Sequence, residues 1–352
     1  MNRDQITCLI PTYNRAALLR RLLYFNSQFS RDIPYLVLDS SDPQEAAENH
    51  SAVEVAQTVL RLDYRHYDQS YLEKCIDGLG QVRTPFVALC AEDDVLFPET
   101  VKKAVEFLQR EPSFSSAMGK IASLDTTPRA WLRRPKILKG FSITNERPLD
   151  RCRQQNAISF TSFYAVHRRD DMLRDFHAVM HDAFGGSNAD HLQEMSLTLL
   201  RALRGRLEVL SSLYSIRQIH TSNAAKAFWQ GEVPDAEAWF QRFKHFITDQ
   251  FVASGAERDE VERFIDERYG HLRDSATYWK RRRPMSERIR RLGRGCVECM
   301  VDLARTDRVR RARGVRSIDI AGCEKIWYAA VRLIREYPNG LPLDVFEANM
   351  KQ

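Results

Sequence analysis

Short apolar runs alternate with amphipathic stretches along the first third of the chain. Four runs have the length and composition of buried strands and lie at 6–11, 34–38, 61–67 and 86–90. Apolar residues recur at helical spacing over 16–29, 44–58, 70–82 and 98–110. Strands that alternate with helices in this way predict a mostly parallel sheet covered by helices on both faces.

The pattern changes after the fourth helix. Residues 125–156 are rich in Pro, Arg and Lys, and we expect them to form a long excursion from the sheet. Alternating stretches at 157–166 and 207–218 predict two more strands, and a helical pattern at 190–203 lies between them. From residue 228 onward only helical patterns are present.

Chain length and these patterns together predict two domains. A chain of 352 residues has room for about two domains of ordinary size. We expect an α/β domain over 1–227, with a first half at 1–124 and a second half at 150–227. An all-α domain would follow over 228–352.

The composition is that of a soluble globular protein, with 43% hydrophobic and 28% charged residues. The sequence contains no run of about 18 apolar residues, so we expect no membrane-spanning helix. The polar N-terminus lacks the features of a secretion signal. We therefore expect a cytoplasmic protein. Seven cysteines spread along the chain argue against a disulfide framework. The pair Cys296 and Cys299 supplies too few ligands for a structural zinc.

The net charge of +6 is concentrated in one segment, 280–316, which carries 14 Lys and Arg against 4 Asp and Glu. Within it, residues 286–304 form an amphipathic pattern with a basic face. Such a helix either packs on its own domain or lies on an anionic surface, so peripheral contact with the inner face of the membrane stays open. The segment lacks interleaved aromatic residues, and we expect no nucleic-acid partner. The sequence also leaves a homo-oligomer open.

Three consecutive carboxylates, Glu92, Asp93 and Asp94, follow the fourth predicted strand. The turns after the first and second strands contain Asn14 and Asp39. All three turns should meet at the carboxyl edge of the sheet, where such sheets bind ligands. Adjacent carboxylates repel each other, and a bound Mg²⁺ or Mn²⁺ relieves that repulsion. The alternative is a solvated acidic turn that precedes a helix.

Three segments of the first domain resemble family 2 glycosyltransferases. ITCLIPTYNR at 6–15 is similar to the family's opening strand and turn, VLDSS at 37–41 to its second strand, and ALCAEDD at 88–94 to its metal motif. The resemblance covers roughly residues 5–225 and implies the GT-A fold. It also implies a metal-dependent enzyme that transfers a sugar, with inversion, from a nucleotide-diphosphate donor. UDP-sugars are the donors that this family uses most often.

The resemblance assigns roles to individual residues. Asp94 would bind the metal. Glu92 departs from the family's usual aspartate, which leaves its contact with ribose or sugar open, and Asp93 would act between these two roles. Lys74 would either reach the phosphates or lie exposed on its helix. The residues implied for nucleotide binding are Pro11, Thr12, Tyr13, Asn14, Arg15, Asp39 and Ser41.

The second half of this domain would bind the acceptor, which is a glycan, a lipid-linked molecule or a protein. An inverting transferase needs a general base near the acceptor hydroxyl. By the resemblance, this base is a carboxylate at the start of a helix after a glycine-containing loop, and Asp190 fits that position. Glu194, one turn further along the helix, is the second candidate, and Asp182 is the third. The alternative for Asp190 is an ordinary helix-capping aspartate.

Two residues at the end of the last predicted strand complete the candidate site. By the same resemblance, His220 would be a second metal ligand, and Arg217 would pair with phosphate oxygens. The alternatives are a surface histidine and a solvated arginine. His167 and His181 lack a comparable context, and we expect both to be structural.

Two other functions stay open at this point. A nucleotidyltransferase also places acidic residues at strand ends, but it usually carries a glycine-rich basic loop after its first strand. Residues 12–15 contain no glycine, which disfavours that function. A non-catalytic scaffold would keep a degenerate transferase domain and use its helical tail to recruit partners.

Overall fold

The computed structural model describes residues 5–127, 135–155, 162–183, 190–220, 236–274 and 323–350. Within them the strands are β1 (Ile6–Thr12), β2 (Tyr35–Asp39), β3 (Leu62–His66), β4 (Phe86–Leu89), β5 (Val95–Leu96), β6 (Phe114–Asp125), β7 (Lys136–Ile137), β8 (Val166–Arg168) and β9 (Arg206–Ile219). The α-helices are α1 (Ala16–Phe29), α2 (Pro43–Gln57), α3 (Tyr71–Gln81), α4 (Pro98–Arg110), α5 (Pro148–Gln155), α6 (Arg169–Ala178), α7 (Asp190–Arg204), α8 (Ala236–Ala253), α9 (Arg258–Tyr269), α10 (Glu324–Glu336) and α11 (Leu343–Met350).

The described strands form one sheet with the order β3-β2-β1-β4-β8-β6-β9-β5, and β7 pairs with β6. The first four strands run parallel around β1. Antiparallel pairs through β8 join β4 to β6, and β6 runs parallel to β9 along almost its whole length. The predicted α/β fold with a mostly parallel sheet is confirmed, and its antiparallel pairs are those made by the short strands β5, β7 and β8.

The first four strands and helices match their predicted positions to within one residue at each end. Their pattern is clear because both faces of these strands are buried. In β1, Ile6, Cys8 and Ile10 pack on one face of the sheet, whereas Leu9 packs on the other. The strand continues to Thr12, one residue beyond the predicted end.

The hydrophobic pattern does not predict β6, although this strand is 12 residues long. Its sequence, FSSAMGKIASLD, contains three Ser, two Ala, one Gly and one Lys, which are not typical strand residues. The strand forms because β8 and β9 pair with it on either side. Its small residues permit close packing, since a Cβ at Gly119 would lie 2.2 Å from the Ser212 carbonyl oxygen.

The strand predicted at 157–166 is wrong in its described part. A 3₁₀ turn occupies Ser162–Tyr164, and only the short strand β8 follows it. Two of the aromatic residues that suggested a strand, Phe163 and Tyr164, lie in this turn, and the Phe163 ring packs 6.1 Å from the ring of Phe176 in α6. The other predicted residues of this stretch, 157–161, lie outside the described part of the chain.

The excursion expected at 125–156 contains two described elements, β7 and α5. The Arg151 guanidinium fastens α5 to the end of α7. It donates hydrogen bonds to the carbonyl oxygens of Ala202 (2.6 Å) and Leu203 (2.9 Å). These carbonyls are in the last turn of α7, where helix carbonyls lack partners within the helix.

Helices cover both faces of the sheet, as the alternating pattern predicts. One face is covered by α1, α2, α4 and α11, and the other by α3, α5, α6, α7, α8 and α9. Helix α10 packs on α1 and β9. The described C-terminal helices thus share hydrophobic clusters with the sheet. None of the helices in the described residues is long and apolar enough to cross a membrane. The basic segment 280–316, with Cys296 and Cys299, lies outside those residues.

Candidate active site

Glu92, Asp93 and Asp94 form a buried turn between β4 and β5, which we call the acidic turn. Each of the three residues is at most 7% exposed. The turn lies at the carboxyl edge of the sheet, because β4 pairs in parallel with β1 and both strands end there. A solvated acidic turn does not describe this arrangement, since burying carboxylates is costly unless cations or hydrogen bonds compensate them.

An arginine and a histidine from two other parts of the chain contact the acidic turn. The Arg15 guanidinium lies 3.2 Å from Glu92 Oε1 and 3.5 Å from Asp93 Oδ2. The His220 imidazole Nε2 lies 2.8 Å from the same Asp93 oxygen. Arg15 follows β1 and His220 follows β9, so residues from both halves of the sheet contact the turn.

Asp94 contacts the end of β9. Its Oδ1 accepts a hydrogen bond from the Gln218 backbone N–H at 3.1 Å, and its Oδ2 lies 3.5 Å from Arg217 Nε. The carboxylate therefore keeps lone pairs for a further ligand, because two oxygens offer about four acceptor sites.

The three carboxyl groups have pKa values shifted in different directions. Burial and the charge of Asp93 raise the pKa of Glu92 to about 7 and that of Asp94 to about 8. Burial opposes ionisation of Asp93 as well, but the His220 hydrogen bond and Arg15 outweigh it and lower the Asp93 pKa. Asp93 thus carries the permanent negative charge of the turn, and its neighbours titrate near neutral pH.

Arg217 connects the acidic turn to Tyr164 and, through its charge, to Glu194. Its guanidinium stacks on the Tyr164 ring, 5.0 Å from the centroid. Burial raises the pKa of the Glu194 carboxyl, and the Arg217 charge acts against that rise. Asp94 and Glu194 therefore both act electrostatically on the same arginine. The role of Glu194 stays a prediction, and the side chains of Asp182 and Asp190 lie outside the described part.

The turn after β1 is fastened to the end of β2. Asn14 adopts a left-handed conformation with φ of +52°, which Asn tolerates better than most residues. Its backbone N–H donates to Ser41 Oγ at 2.8 Å, and its side chain exchanges two hydrogen bonds with Asp42. Tyr13 points outward and is 57% exposed. The buried Thr12 hydroxyl has no hydrogen-bond partner among the described residues.

Asp39 is fully buried beneath this turn. Its carboxylate accepts hydrogen bonds from the Ser41 N–H (2.8 Å), Asn49 Nδ2 (2.9 Å) and the Tyr64 hydroxyl (2.8 Å). In this structure Asp39 organises the end of β2 from within. Ser41 and the residues of the β1 turn lie above it.

Lys74 is buried, and the expectation of an exposed helix lysine is wrong. Only 2% of the residue is exposed, and its ammonium donates to the Thr12 carbonyl oxygen (2.7 Å) and to Ser40 Oγ (2.8 Å). The reason is that α3 begins below the ends of β1 and β2 and directs this side chain under the turn. The Lys74 charge also favours ionisation of Glu92.

Two polar residues contribute to the site without having been predicted, Arg21 and Gln218. Arg21 is 1% exposed and lies in α1 among the apolar positions Leu18, Leu22 and Phe25. A charged residue within an apolar helix stripe is a sequence signal of buried polar contacts, and Arg21 donates to two backbone carbonyls and to the Gln218 amide oxygen. Burial lowers the Arg21 pKa to about 10, against the charges of the acidic turn, so it remains protonated at neutral pH.

A divalent cation fits the chemistry of these residues. No group of three His, Cys, Asp or Glu side chains in the described residues has a ready-made ligand arrangement. Mg²⁺ and similar cations often take only one or two protein ligands and share the remaining positions with water and substrate phosphates. The Asp94 carboxylate and the His220 imidazole supply that smaller set, and both belong to the network around Asp93.

The comparisons with known proteins concern the family and the fold. The profile of glycosyl transferase family 2 matches residues 7–174. No curated protein sequence matches the chain. The 1–349 fragment of S. aureus TarS in complex with UDP-GlcNAc aligns with 78% of this chain and 74% of its own, at 18% identity and TM-score 0.54. The same fragment in complex with UDP aligns over 80% and 77%, at 17% identity and TM-score 0.50.

A more distant likeness extends over 99% of this chain and 85% of the other one. It is to the mannosyltransferase PcManGT from Pyrobaculum calidifontis in complex with GDP-Man and Mn²⁺, at 14% identity. Its TM-score of 0.43 is too low to support an argument. At these identities the structural likenesses show the fold and nothing finer.

Proposed function

Residues 7–174 belong to glycosyl transferase family 2 and the chain has the GT-A fold, and from this premise we propose the reaction of this glycosyltransferase. It transfers a sugar from a nucleotide-diphosphate donor to an acceptor hydroxyl, with inversion, and depends on Mn²⁺ or Mg²⁺. The observation that carries this proposal is the convergence of Asp94, Arg217 and His220 around the buried acidic turn.

Asp94 and His220 would hold the cation. When bound, the cation offsets the negative charge that develops on the leaving nucleotide diphosphate. Arg217 lies beside Asp94 with its guanidinium fixed by Tyr164, and it would donate hydrogen bonds to phosphate oxygens. Holding these charges in fixed positions before the reaction begins is the main way in which such a site lowers the barrier.

The nucleotide would bind over the turn that follows β1. The residues proposed for it are Pro11, Thr12, Tyr13, Asn14, Arg15, Asp39, Ser41, Lys74, Glu92 and Asp93. The exposed Tyr13 ring and the unpartnered Thr12 hydroxyl support this placement. Lys74 would act from below by fixing the Thr12 carbonyl. UDP is the first nucleotide to test, because the aligned TarS fragment was crystallised with it.

Glu194 or Asp190 would be the general base that deprotonates the acceptor hydroxyl. Glu194 has a raised pKa through burial, which suits a carboxylate that must accept a proton near neutral pH. The acceptor would be a glycan, a lipid-linked molecule or a protein, reached from the half at 150–227. A cytoplasmic location and membrane contact through 280–316 belong to the same proposal, as does the division into domains at 1–227 and 228–352.

The deciding experiment is a screen of nucleotide sugars for hydrolysis or transfer with Mn²⁺ and with EDTA. We expect one donor class to be turned over only with the cation present. Asp94→Asn should lower kcat by about 100-fold or more, because it removes a charge next to the developing diphosphate. Asp63→Asn, at an exposed position of β3, is the matched control. Full activity of Asp94→Asn, or activity unaffected by EDTA, would contradict the metal role.

A further inference from the structure

Two adjacent buried arginines of α1 hold the loop between α10 and α11, residues 337–341, which we call the C-terminal loop. Arg20 Nε donates to the Leu341 carbonyl oxygen at 2.9 Å, and an Arg21 terminal nitrogen donates to the Tyr337 carbonyl oxygen at 2.9 Å. The Leu341 N–H donates in return to the Ala17 carbonyl at 2.8 Å. The loop is therefore bound to α1, the helix that follows the turn after β1.

Arg21, but not Arg20, also reaches the acidic turn. Its second terminal nitrogen donates to the Asp93 carbonyl oxygen at 2.9 Å and to Gln218 Oε1 at 2.7 Å. The same nitrogen thus fixes the backbone of the acidic turn and the side chain at the end of β9. Arg20 instead pairs with Glu48 at 2.9 Å.

Gln218 also bonds both to the acidic turn and to the C-terminal loop. Its backbone N–H donates to Asp94 Oδ1, and its side-chain nitrogen donates to the Pro338 carbonyl of the C-terminal loop at 2.7 Å and to Thr126 Oγ1 at 2.8 Å. Gln218 is 2% exposed. Two buried residues, Arg21 through its side chain and Gln218 through its backbone N–H and its side chain, therefore bond both to the acidic turn and to a segment from the far end of the chain.

We propose that Arg21 and Gln218 are positioning residues for the acidic turn, and that the C-terminal loop holds them in place. A guanidinium is suited to this role because its donors lie in one rigid plane and bind several acceptors in fixed directions. The C-terminal loop lies outside residues 7–174, which match the family profile. The catalytic geometry of this chain therefore depends on a segment beyond that domain. The activity readouts below rest on the proposed function, whereas the spectroscopic one does not.

The backbone of the C-terminal loop requires glycine at position 340. Gly340 has φ of +103°, and a Cβ there would lie 2.2 Å from the Ala17 carbonyl carbon. An alanine at this position is both strained and in collision with α1. Gly255, in the turn between α8 and α9, has a similar φ of +91° but open space around it. The two glycines form a matched pair that separates backbone strain from displacement of the loop.

The first test compares Arg21→Lys with Arg20→Lys. Both variants keep the charge and lose the fork of donors, but only Arg21 contacts the acidic turn. In Arg20→Lys the loop keeps its hydrogen bonds to Arg21, Gln218 and the Ala17 carbonyl, and we expect it to stay in place. We expect Arg21→Lys to lower kcat by about 10- to 100-fold, because small misplacements at a reacting centre have effects of this size. The half-saturating Mn²⁺ concentration should rise as well. Arg20→Lys should change both quantities less than about two-fold, even if its thermal stability falls as much. Equal kinetics for the two variants would overturn the proposal.

The second test acts through the loop alone. Gly340→Ala should lower kcat and raise the Mn²⁺ requirement in the same sense as Arg21→Lys. Gly255→Ala, which adds similar strain elsewhere, should leave both unchanged. If Gly340→Ala only lowers the melting temperature, and its kcat and Mn²⁺ requirement match those of Gly255→Ala, the loop has no positioning role.

A readout without substrate separates this proposal from the proposed function. The side-chain ¹⁵N resonances of His220, assigned with His220→Gln, report on its contact with Asp93 in the metal-free protein. They should shift in Arg21→Lys and in Gly340→Ala but stay in place in Arg20→Lys. Absence of turnover with every donor would contradict the function while this comparison still decides the positioning role. Unchanged His220 resonances in Arg21→Lys would overturn that role.

Discussion

The Asp93 carboxylate accepts a hydrogen bond from the His220 imidazole at 2.8 Å, although 127 positions separate the two residues in the chain. This contact joins the end of β4 to the end of β9. It also brings the second proposed cation ligand beside the acidic turn. The site is thus assembled from the two halves of the sheet.

We expect His220→Gln to raise the Mn²⁺ concentration that gives half-maximal activity. Donor specificity should not change. Removing an imidazole from a metal site or its immediate support typically lowers metal affinity by about 10- to 100-fold. A titration of activity with Mn²⁺ measures the change. His245→Gln is the control, because the His245 side chain is 77% exposed and lies on α8. An unchanged Mn²⁺ midpoint in His220→Gln would remove His220 from the proposed ligand set.

Cation binding should strengthen with rising pH. The Asp94 pKa is raised to about 8 and the Glu92 pKa to about 7, both chiefly by burial. Below these values the folded protein holds protons that a cation must displace. The thermal stabilisation produced by Mn²⁺ should therefore be larger at about pH 8.5 than at about pH 6. Asp94→Asn should abolish most of this pH dependence, and a pH-independent stabilisation in the unmodified protein would contradict the prediction.

The stability of the metal-free protein should fall with rising pH over the range in which Asp94 titrates. Between the ordinary aspartate pKa of 3.8, which Asp94 has in the unfolded chain, and its folded pKa of about 8, the folded state binds more protons than the unfolded chain. Stability contributed by this group is present at low pH and falls as pH rises through that window. Urea unfolding of Asp94→Asn against the unmodified protein isolates the effect.

His167 should make the protein sensitive to mild acid. It is fully buried, and burial together with the Arg201 charge lowers its pKa to about 3. Below about pH 6.5 the unfolded chain takes up a proton that the folded protein excludes, so stability falls as pH decreases through this range. The loss should approach about 2 kcal/mol at pH 5. His167→Gln should reduce the difference in urea midpoint between pH 7.5 and pH 5, and His245→Gln should not.

Lys74→Met should weaken both the fold and donor binding. The Thr12 carbonyl would lose the buried ammonium that it accepts from, which costs about 1–3 kcal/mol. The turn above would lose its support, so KM for the donor should rise more than kcat falls. Lys103→Met, at an exposed position of α4, controls for the loss of one positive charge. A donor KM equal to that of the unmodified protein would limit Lys74 to a structural role.

The elements of the first half are predictable from the sequence because burial on both faces leaves long apolar runs. In β6, by contrast, contacts with β8 and β9 decide the structure, and its serines and glycine give no local signal. The stretch before β8 misleads for a related reason. Its aromatic residues fill a turn instead of alternating across a sheet.

The acidic turn is predictable because three carboxylates after a strand are visible in one window of sequence. The partners of these carboxylates are not, since Arg21 and Gln218 come from α1 and β9 and meet only in the folded chain. Lys74 shows the same limit. Its helix position suggests solvent, and only the packing of α3 below β1 turns it inward.

The carboxylates of the acidic turn and His220 are buried, and this has a consequence for the effect of ionic strength. Mobile ions screen exposed charges over a distance of about 8–10 Å, but they reach buried pairs poorly. The attraction that would hold a divalent cation between Asp94 and His220 is enclosed by protein. Added salt should therefore weaken contacts between surface charges well before it weakens binding of the proposed cation.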